Sequence, residues 1–158
     1  MMNSYLQILQ DGLRKKLEVL SRIEAKSRQQ AQLLKEEKVS FEAIEQNMDE
    51  KAQLIEELEN LDTGFEALYE KIREELIPRK EEYKEEISLL QDLISQVTEK
   101  SASIQAIEAR NKAEMEMFFT RERKTLQTKR NAMSVATDYY QNMNKVKNVA
   151  PQFLDKKK

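Results

Sequence analysis

Apolar residues recur at steps of three and four along most of this chain, which is the spacing of one face of an α-helix. Three such stripes follow one another, over residues 6–34, 41–76 and 83–118. The third stripe has the most regular heptad count. It fades between residues 120 and 131 and then resumes in the same register up to residue 146. The pattern predicts an all-α chain built from long helices.

Local signals set the expected boundaries of these helices. Ser4-x-x-Gln7 has the form of a capping box at a helix start, and Ser40 precedes the second stripe as a cap. Pro78 suits the first turn of a helix and damages its interior, so a third helix should begin near it. We therefore expect three long helices, the first two forming an antiparallel hairpin packed on the longer third, near residues 4–37, 41–76 and 79–145.

One boundary within the second helix has two interpretations. Thr63-x-x-Glu66 is another capping-box pattern, which is typical of a new helix start. The heptad steps nevertheless keep one register from residue 55 to residue 76. A continuous or kinked helix is therefore favoured, and a break at residues 60–64 is the alternative.

The expected helix lengths are unequal. At 1.5 Å per residue, helices of about 34, 37 and 65 residues span about 50, 55 and 100 Å. A hairpin of the first two would cover only about half of the third. We expect a single helical domain over residues 1–147, with an overhang from about Met115, and a flexible basic tail over residues 148–158.

The overhang is the candidate partner-binding surface, because an uncovered apolar stripe of this size usually marks an interaction site. It is rich in methionine and tyrosine, which are favoured on binding surfaces. Two plainer interpretations remain: the methionines fill an ordinary core, or the tyrosines fold back onto the bundle as a terminal staple. The candidate binding residues are Met115, Phe118, Phe119, Met133, Ala136, Tyr139, Tyr140 and Met143.

Composition agrees with helices and excludes sheet folds. Ala, Glu, Lys, Leu and Arg make up 79 of the 158 residues, a share typical of coiled coils and helical bundles. The chain has two glycines and two prolines. These are too few for the turns of a β-sandwich, a barrel or an α/β fold.

Two residue types are missing altogether, His and Cys. Their absence excludes Ser-His-Asp and Cys-His catalysis, histidine-ligated zinc, disulfides and iron–sulfur clusters. We therefore do not expect an enzyme, and we expect no cofactor or metal site. The sequence shows no secretory signal pattern and no window of about 18 apolar residues. A cytoplasmic protein without membrane insertion is expected.

Charge is divided unequally along the chain. Residues 41–75 hold 12 acidic and three basic residues, a net charge of −9, whereas residues 121–158 hold ten basic and three acidic residues, a net charge of +7. The acidic segment is interpreted as a solvated face, and the alternative is a docking site for a basic partner. The basic stretch 121–130 is interrupted by Glu122 and contains no aromatic residue to stack on bases. Nucleic-acid binding is not expected.

Three stretches resemble the FlgN family of flagellar export chaperones, especially its clostridial-type members. Residues 49–55, within a longer similar stretch over 50–69, resemble the Glu-Lys-x-x-Leu run of the family's second helix. Residues 104–112 resemble a segment of its third helix, with Asn111-Lys112 in place of the usual Asn-Gly. Residues 139–143 followed by 152–157 are similar to the ending of the clostridial-type proteins. The related FliT-type chaperones are also similar.

This resemblance implies a small cytoplasmic helical chaperone that binds unfolded hook-associated proteins, the two hook–filament junction proteins, through its C-terminal region. It also implies delivery to components of the export apparatus, with no cofactor. A disordered client would cover the apolar stripe and fold against it. The main alternative is a structural coiled-coil spacer or stalk that self-associates, as a homodimer, through the same surface.

Overall fold

The computed structural model describes residues 1–122 and 138–140 of this chain. All regular structure in these residues is helical, which confirms the all-α prediction and its three long helices. The helices are α1 (Met2–Lys35), α2 (Phe41–Leu76) and α3 (Lys84–Glu122), with a short 3₁₀ turn, Ile77–Arg79, between the last two.

Helix α1 begins two residues before the expected position. Its first residue is Met2, and the backbone N–H of Tyr5 donates to the carbonyl of Met1 at 3.2 Å. Ser4 therefore lies inside the first turn, and its predicted role as the cap is wrong. The physical reason is tertiary, because the Met2 side chain is buried in the core and holds the preceding turn in helical conformation.

Helix α2 follows its sequence signals closely. The Ser40 hydroxyl accepts a hydrogen bond from the N–H of Ala43 at 3.2 Å, which confirms the predicted cap. The helix is continuous through residues 60–64, so the favoured interpretation of the Thr63-x-x-Glu66 pattern is confirmed. The Thr63 hydroxyl donates to the carbonyl of Glu59 at 3.0 Å, as a serine or threonine inside a helix commonly does.

The boundary forced by Pro78 lies where the sequence predicts, but α3 begins later than expected. After the 3₁₀ turn, the N–H of Tyr83 donates to the carbonyls of both Arg79 and Lys80. The Arg79 guanidinium also binds the Glu82 carboxylate at 2.8 Å. Residues 80–83 therefore complete a turn of their own, and the long helix starts at Lys84 rather than near residue 79.

Helix α1 is central, because it packs along both α2 and α3, whereas α2 and α3 meet through long side chains. Helices α1 and α2 are antiparallel, as predicted: Lys26 binds Glu50 and Lys16 binds Asp62. Helix α3 begins beside the start of α1 and runs parallel to it. The largest fully buried aliphatic side chains of the resulting core are Leu6, Leu9, Leu20, Ile23, Ile44, Ile55, Leu58, Ile72, Leu76 and Leu90.

The expected overhang from Met115 does not exist in the described residues. Helix α3 starts level with α1, and the distance along it from Lys84 to Met115 is close to the length of the 34-residue α1. Met115 therefore reaches only the far end of the hairpin. Met115, Phe118 and Phe119 are 0%, 3% and 1% exposed. They form a distal cluster with Ile44 and Met48, against which the following side chains pack: Leu33, Leu34, Val39 and Phe41.

A candidate partner-binding cleft

Tyr139 and Tyr140 are buried against the helical bundle, with 6% and 1% exposed, and we call the position that they fill the cleft. Their rings meet edge to face, with centroids 5.1 Å apart. Both side chains belong to the main core cluster together with residues of all three helices. Of the interpretations that the sequence left open for these tyrosines, the structure shows the terminal staple.

Tyr139 does not lie on a straight continuation of α3. Phe119 packs on Phe41 at the start of α2, with ring centroids 5.7 Å apart. Tyr139 instead contacts Asp62, which lies about 30 Å further along α2. A straight continuation would carry Tyr139 about 30 Å away from the hairpin in the opposite direction. Apart from residues 138–140, the predicted extent of the third helix from residue 123 to residue 145 lies outside the described residues.

In the cleft, the side chains of Lys16, Asp62 and Tyr139 contact one another. The Lys16 ammonium binds one oxygen of the Asp62 carboxylate at 2.5 Å. The Tyr139 hydroxyl donates to the other oxygen at 3.0 Å. The Lys16 ammonium also lies 5.9 Å from the centre of the Tyr139 ring, within the range of a cation–π interaction. The Asp62 carboxylate of α2 thus binds both Lys16 of α1 and Tyr139.

Tyr140 is seated differently. Its hydroxyl oxygen is buried and has no hydrogen-bond partner among the described residues. Burial is the main cause that raises the pKa of the Tyr140 hydroxyl, and the negative charge of Glu108 adds to it. Burial, followed by the charge of Asp62, also raises the pKa of Tyr139. Both phenols are therefore held neutral in the cleft.

Beneath the tyrosines lies a network of buried polar side chains. The Lys51 ammonium binds the Glu108 carboxylate at 2.7 Å and also donates to Gln30. The Ser27 hydroxyl donates to the same Glu108 oxygen at 2.5 Å. The Asn111 amide donates to the carbonyl of Ser27 at 2.8 Å. This polar network therefore joins all three helices.

Lys51 is the most strongly buried charged member of the network, with 7% of its side chain exposed. Burial lowers the pKa of Lys51, because the charged ammonium loses its hydration, and the ion pair with Glu108 acts in the opposite direction. Sequence analysis did not identify this network. The signal was present, since Ser27, Lys51 and Asn111 occupy inward positions of otherwise apolar stripes.

The predicted binding residues fall into two separate places. Met115, Phe118 and Phe119 are together in the distal cluster, and Tyr139 and Tyr140 are together in the cleft. The predicted single stripe therefore does not exist as one surface. The remaining candidates lie outside the described residues: Met133, Ala136 and Met143.

The described residues hold neither a metal-binding cluster nor a helix that could cross a membrane. The described parts of the chain contain no cluster of three or more acidic side chains arranged to hold a metal ion. No helix in residues 1–122 is long and apolar enough to cross a membrane. Comparison of the sequence with models of known protein families, with curated proteins and with solved structures finds no match.

Proposed function

We propose that this chain is a cytoplasmic flagellar export chaperone of the FlgN type. It binds unfolded hook-associated proteins through its C-terminal region and delivers them to the export apparatus. The observation that carries the proposal is the docking of Tyr139 and Tyr140 onto the helical bundle. A helical scaffold that accepts a short aromatic segment in a cleft has the recognition mode expected for a chaperone of disordered clients. The resemblance to the FlgN family supplies the class of client.

The alternative, a stalk that self-associates through residues 115–146, loses support from the distal cluster. A dimer seam along α3 needs exposed apolar side chains at its heptad positions. Phe118 and Phe119 are covered by the turn between α1 and α2. Their neighbour Met117 is 60% exposed, but Met115, Phe118 and Phe119 beside it are buried. These contacts favour an interaction surface at the cleft over a continuous coiled-coil seam.

Binding of defined clients tests the proposal. The full-length chain is mixed with each hook–filament junction protein of the bacterium that encodes it, and the complex is measured by size-exclusion chromatography with light scattering. The expected result is a defined complex with at least one of them. Flagellin serves as a control client of the same export route. Absence of a complex with both junction proteins would overturn the proposal, and a larger mass of the chain alone would favour the stalk.

A further inference from the structure

The cleft retains its electrostatic pairing without the tyrosines. Asp62 is paired with Lys16, and Glu108 is paired with Lys51 and Ser27, by contacts that do not involve residues 138–140. Removing the tyrosines therefore leaves no buried charge without a partner. Emptying a buried site is strongly unfavourable when it does leave an unpaired charge, and that penalty is avoided here. The charged groups beside the tyrosines therefore keep their partners whether or not the tyrosines are docked.

The occupant itself fits imperfectly. Tyr139 makes a hydrogen bond with Asp62, but the Tyr140 hydroxyl is buried without a partner among the described residues. Burying a hydroxyl without a hydrogen bond is unfavourable compared with leaving it in water. One of the two tyrosines thus stabilises the docked state through its hydroxyl, and the other opposes it.

We propose that this cleft is the binding site for a client segment with two adjacent aromatic side chains, and that Tyr139 and Tyr140 occupy it until a client displaces them. The inference rests on the proposed function and assigns its binding surface. A client aromatic residue without a hydroxyl at the Tyr140 position, or a hydroxyl that reaches Glu108, avoids the unfavourable burial. Such a segment competes with the chain's own pair despite the advantage of the covalent connection.

Two substitutions that each remove a single oxygen atom separate the contributions of the pair. Tyr140→Phe removes the unpartnered hydroxyl, so the chain's own segment should dock more tightly. Tyr139→Phe removes the hydrogen bond to Asp62, so docking should weaken. Because an external ligand sees only the fraction of molecules with an open cleft, its apparent affinity must change in opposite directions in the two variants.

The experiment uses a fluorescein-labelled synthetic peptide of residues 133–146 and the full-length chain, with binding followed by fluorescence anisotropy. Relative to the wild type, we expect about fivefold tighter peptide binding to Tyr139→Phe, whose docked segment loses the net value of one hydrogen bond. We expect about fivefold weaker binding to Tyr140→Phe, whose docked segment no longer buries a hydroxyl without a partner among the described residues. The Tyr139→Ala/Tyr140→Ala chain, with an emptied cleft, should bind most tightly. Tyr5→Phe, a tyrosine at the start of α1 whose ring contacts Lys71, is the matched control and should match the wild type.

Equal peptide affinity for the wild type and both phenylalanine variants would overturn the proposal, as would absence of binding to a folded Tyr139→Ala/Tyr140→Ala chain. If circular dichroism shows that the double alanine chain is unfolded, the two phenylalanine variants decide the result. The assay contains no client. Its failure therefore rejects exchange at the cleft and leaves the proposed function to be judged by the junction proteins.

Discussion

Lys51 and Glu108 form an ion pair that is almost excluded from solvent, with 7% and 12% of their side chains exposed. Desolvation of two charges opposes folding, and their mutual attraction with the surrounding hydrogen bonds offsets much of that cost. The presence of this ion pair therefore does not by itself indicate a more stable fold. Its partners Ser27, Gln30 and Asn111 fix how the three helices lie against one another.

Removing one member of this pair should be worse than removing both. Lys51→Met leaves the Glu108 carboxylate buried without its cation, and we expect a loss of about 3–5 kcal/mol in the free energy of unfolding. Lys51→Met/Glu108→Met removes both charges and should lose less than Lys51→Met alone. Denaturant-induced unfolding followed by circular dichroism measures both values.

The exposed pair Glu18–Arg22, one turn apart on α1, is the control. Arg22→Ala should change the free energy of unfolding by less than about 1 kcal/mol, because surface ion pairs contribute little. A double variant less stable than Lys51→Met would contradict the account of the buried pair.

At the scale of elements, α3 and the turn between α1 and α2 close the far end of the bundle. Phe119 packs on Phe41 and lies 5.4 Å from the ring of Phe118. These contacts give the residues of the distal cluster a structural role. The cleft, in contrast, receives its aromatic side chains from residues 139 and 140, so the two ends of the predicted stripe serve different purposes.

Phe119→Ala should reduce stability without a direct effect on a partner. Deleting a buried phenylalanine ring from a packed cluster typically lowers the free energy of unfolding by about 3–5 kcal/mol. Thermal unfolding measures the loss, and Met117→Ala, which truncates an exposed neighbour, should leave the melting temperature almost unchanged. An unchanged melting temperature for Phe119→Ala combined with weaker client binding would instead restore Phe119 as a binding anchor.

Alkaline pH should release Tyr139 and Tyr140 from the cleft. Burial raises both pKa values above their ordinary value of 10.0. Docking is therefore fully stable below pH 10 and weakens above it, because the released phenols lose protons that the docked phenols keep. The docking equilibrium should fall by up to about tenfold per pH unit for each tyrosine. The charged groups that face the pair are Lys16, Glu59, Asp62 and Glu108.

Ultraviolet absorbance of tyrosinate during a pH titration measures this release. The wild type should show a delayed, steep transition whose amplitude falls by two tyrosines in Tyr139→Phe/Tyr140→Phe. Burial also raises the pKa of Tyr69, so its delayed titration should remain in both chains. If all phenols of the wild type titrated together near their ordinary value, the two tyrosines would not be held neutral in the cleft.

Periodicity and capping signals predicted the elements well because they are local. Ser40 and Pro78 act through their own backbone and the next few residues, and the structure confirms both boundaries. The cleft could not be predicted in the same way. The contacts of Tyr139 with Asp62 and of Lys51 with Glu108 span 77 and 57 residues, and helical periodicity gives the facing direction of a side chain but not its partner.

At the scale of the whole molecule, the negative charge is concentrated on the outward face of α2 and the positive charge on residues 121–158. Much of the acidic charge belongs to exposed side chains, including Glu42, Glu56, Glu59, Glu66 and Glu70. Exposed charges of this kind affect solubility and the rate of association more than affinity.

Neutralising part of this face tests that interpretation. The Glu42→Gln/Asp49→Asn/Glu56→Gln variant, which changes exposed carboxylates away from the tyrosines, should bind a client within about threefold of the wild-type affinity, because solvent screens these charges. Asp62→Asn is the contrasting variant on the same helix, since its carboxylate binds both Lys16 and Tyr139. Titration calorimetry gives both affinities, and a hundredfold loss in the triple variant would show that the acidic face binds the client.

We propose above that this helical bundle binds unfolded hook-associated proteins. Calorimetric titration of each junction protein into the purified full-length chain tests it most directly. We expect saturable binding of at least one of them, with a Kd of about 1 µM or tighter and a negative heat-capacity change from burial of apolar surface. No saturable heat with either junction protein, from a chain shown to be folded, would contradict it.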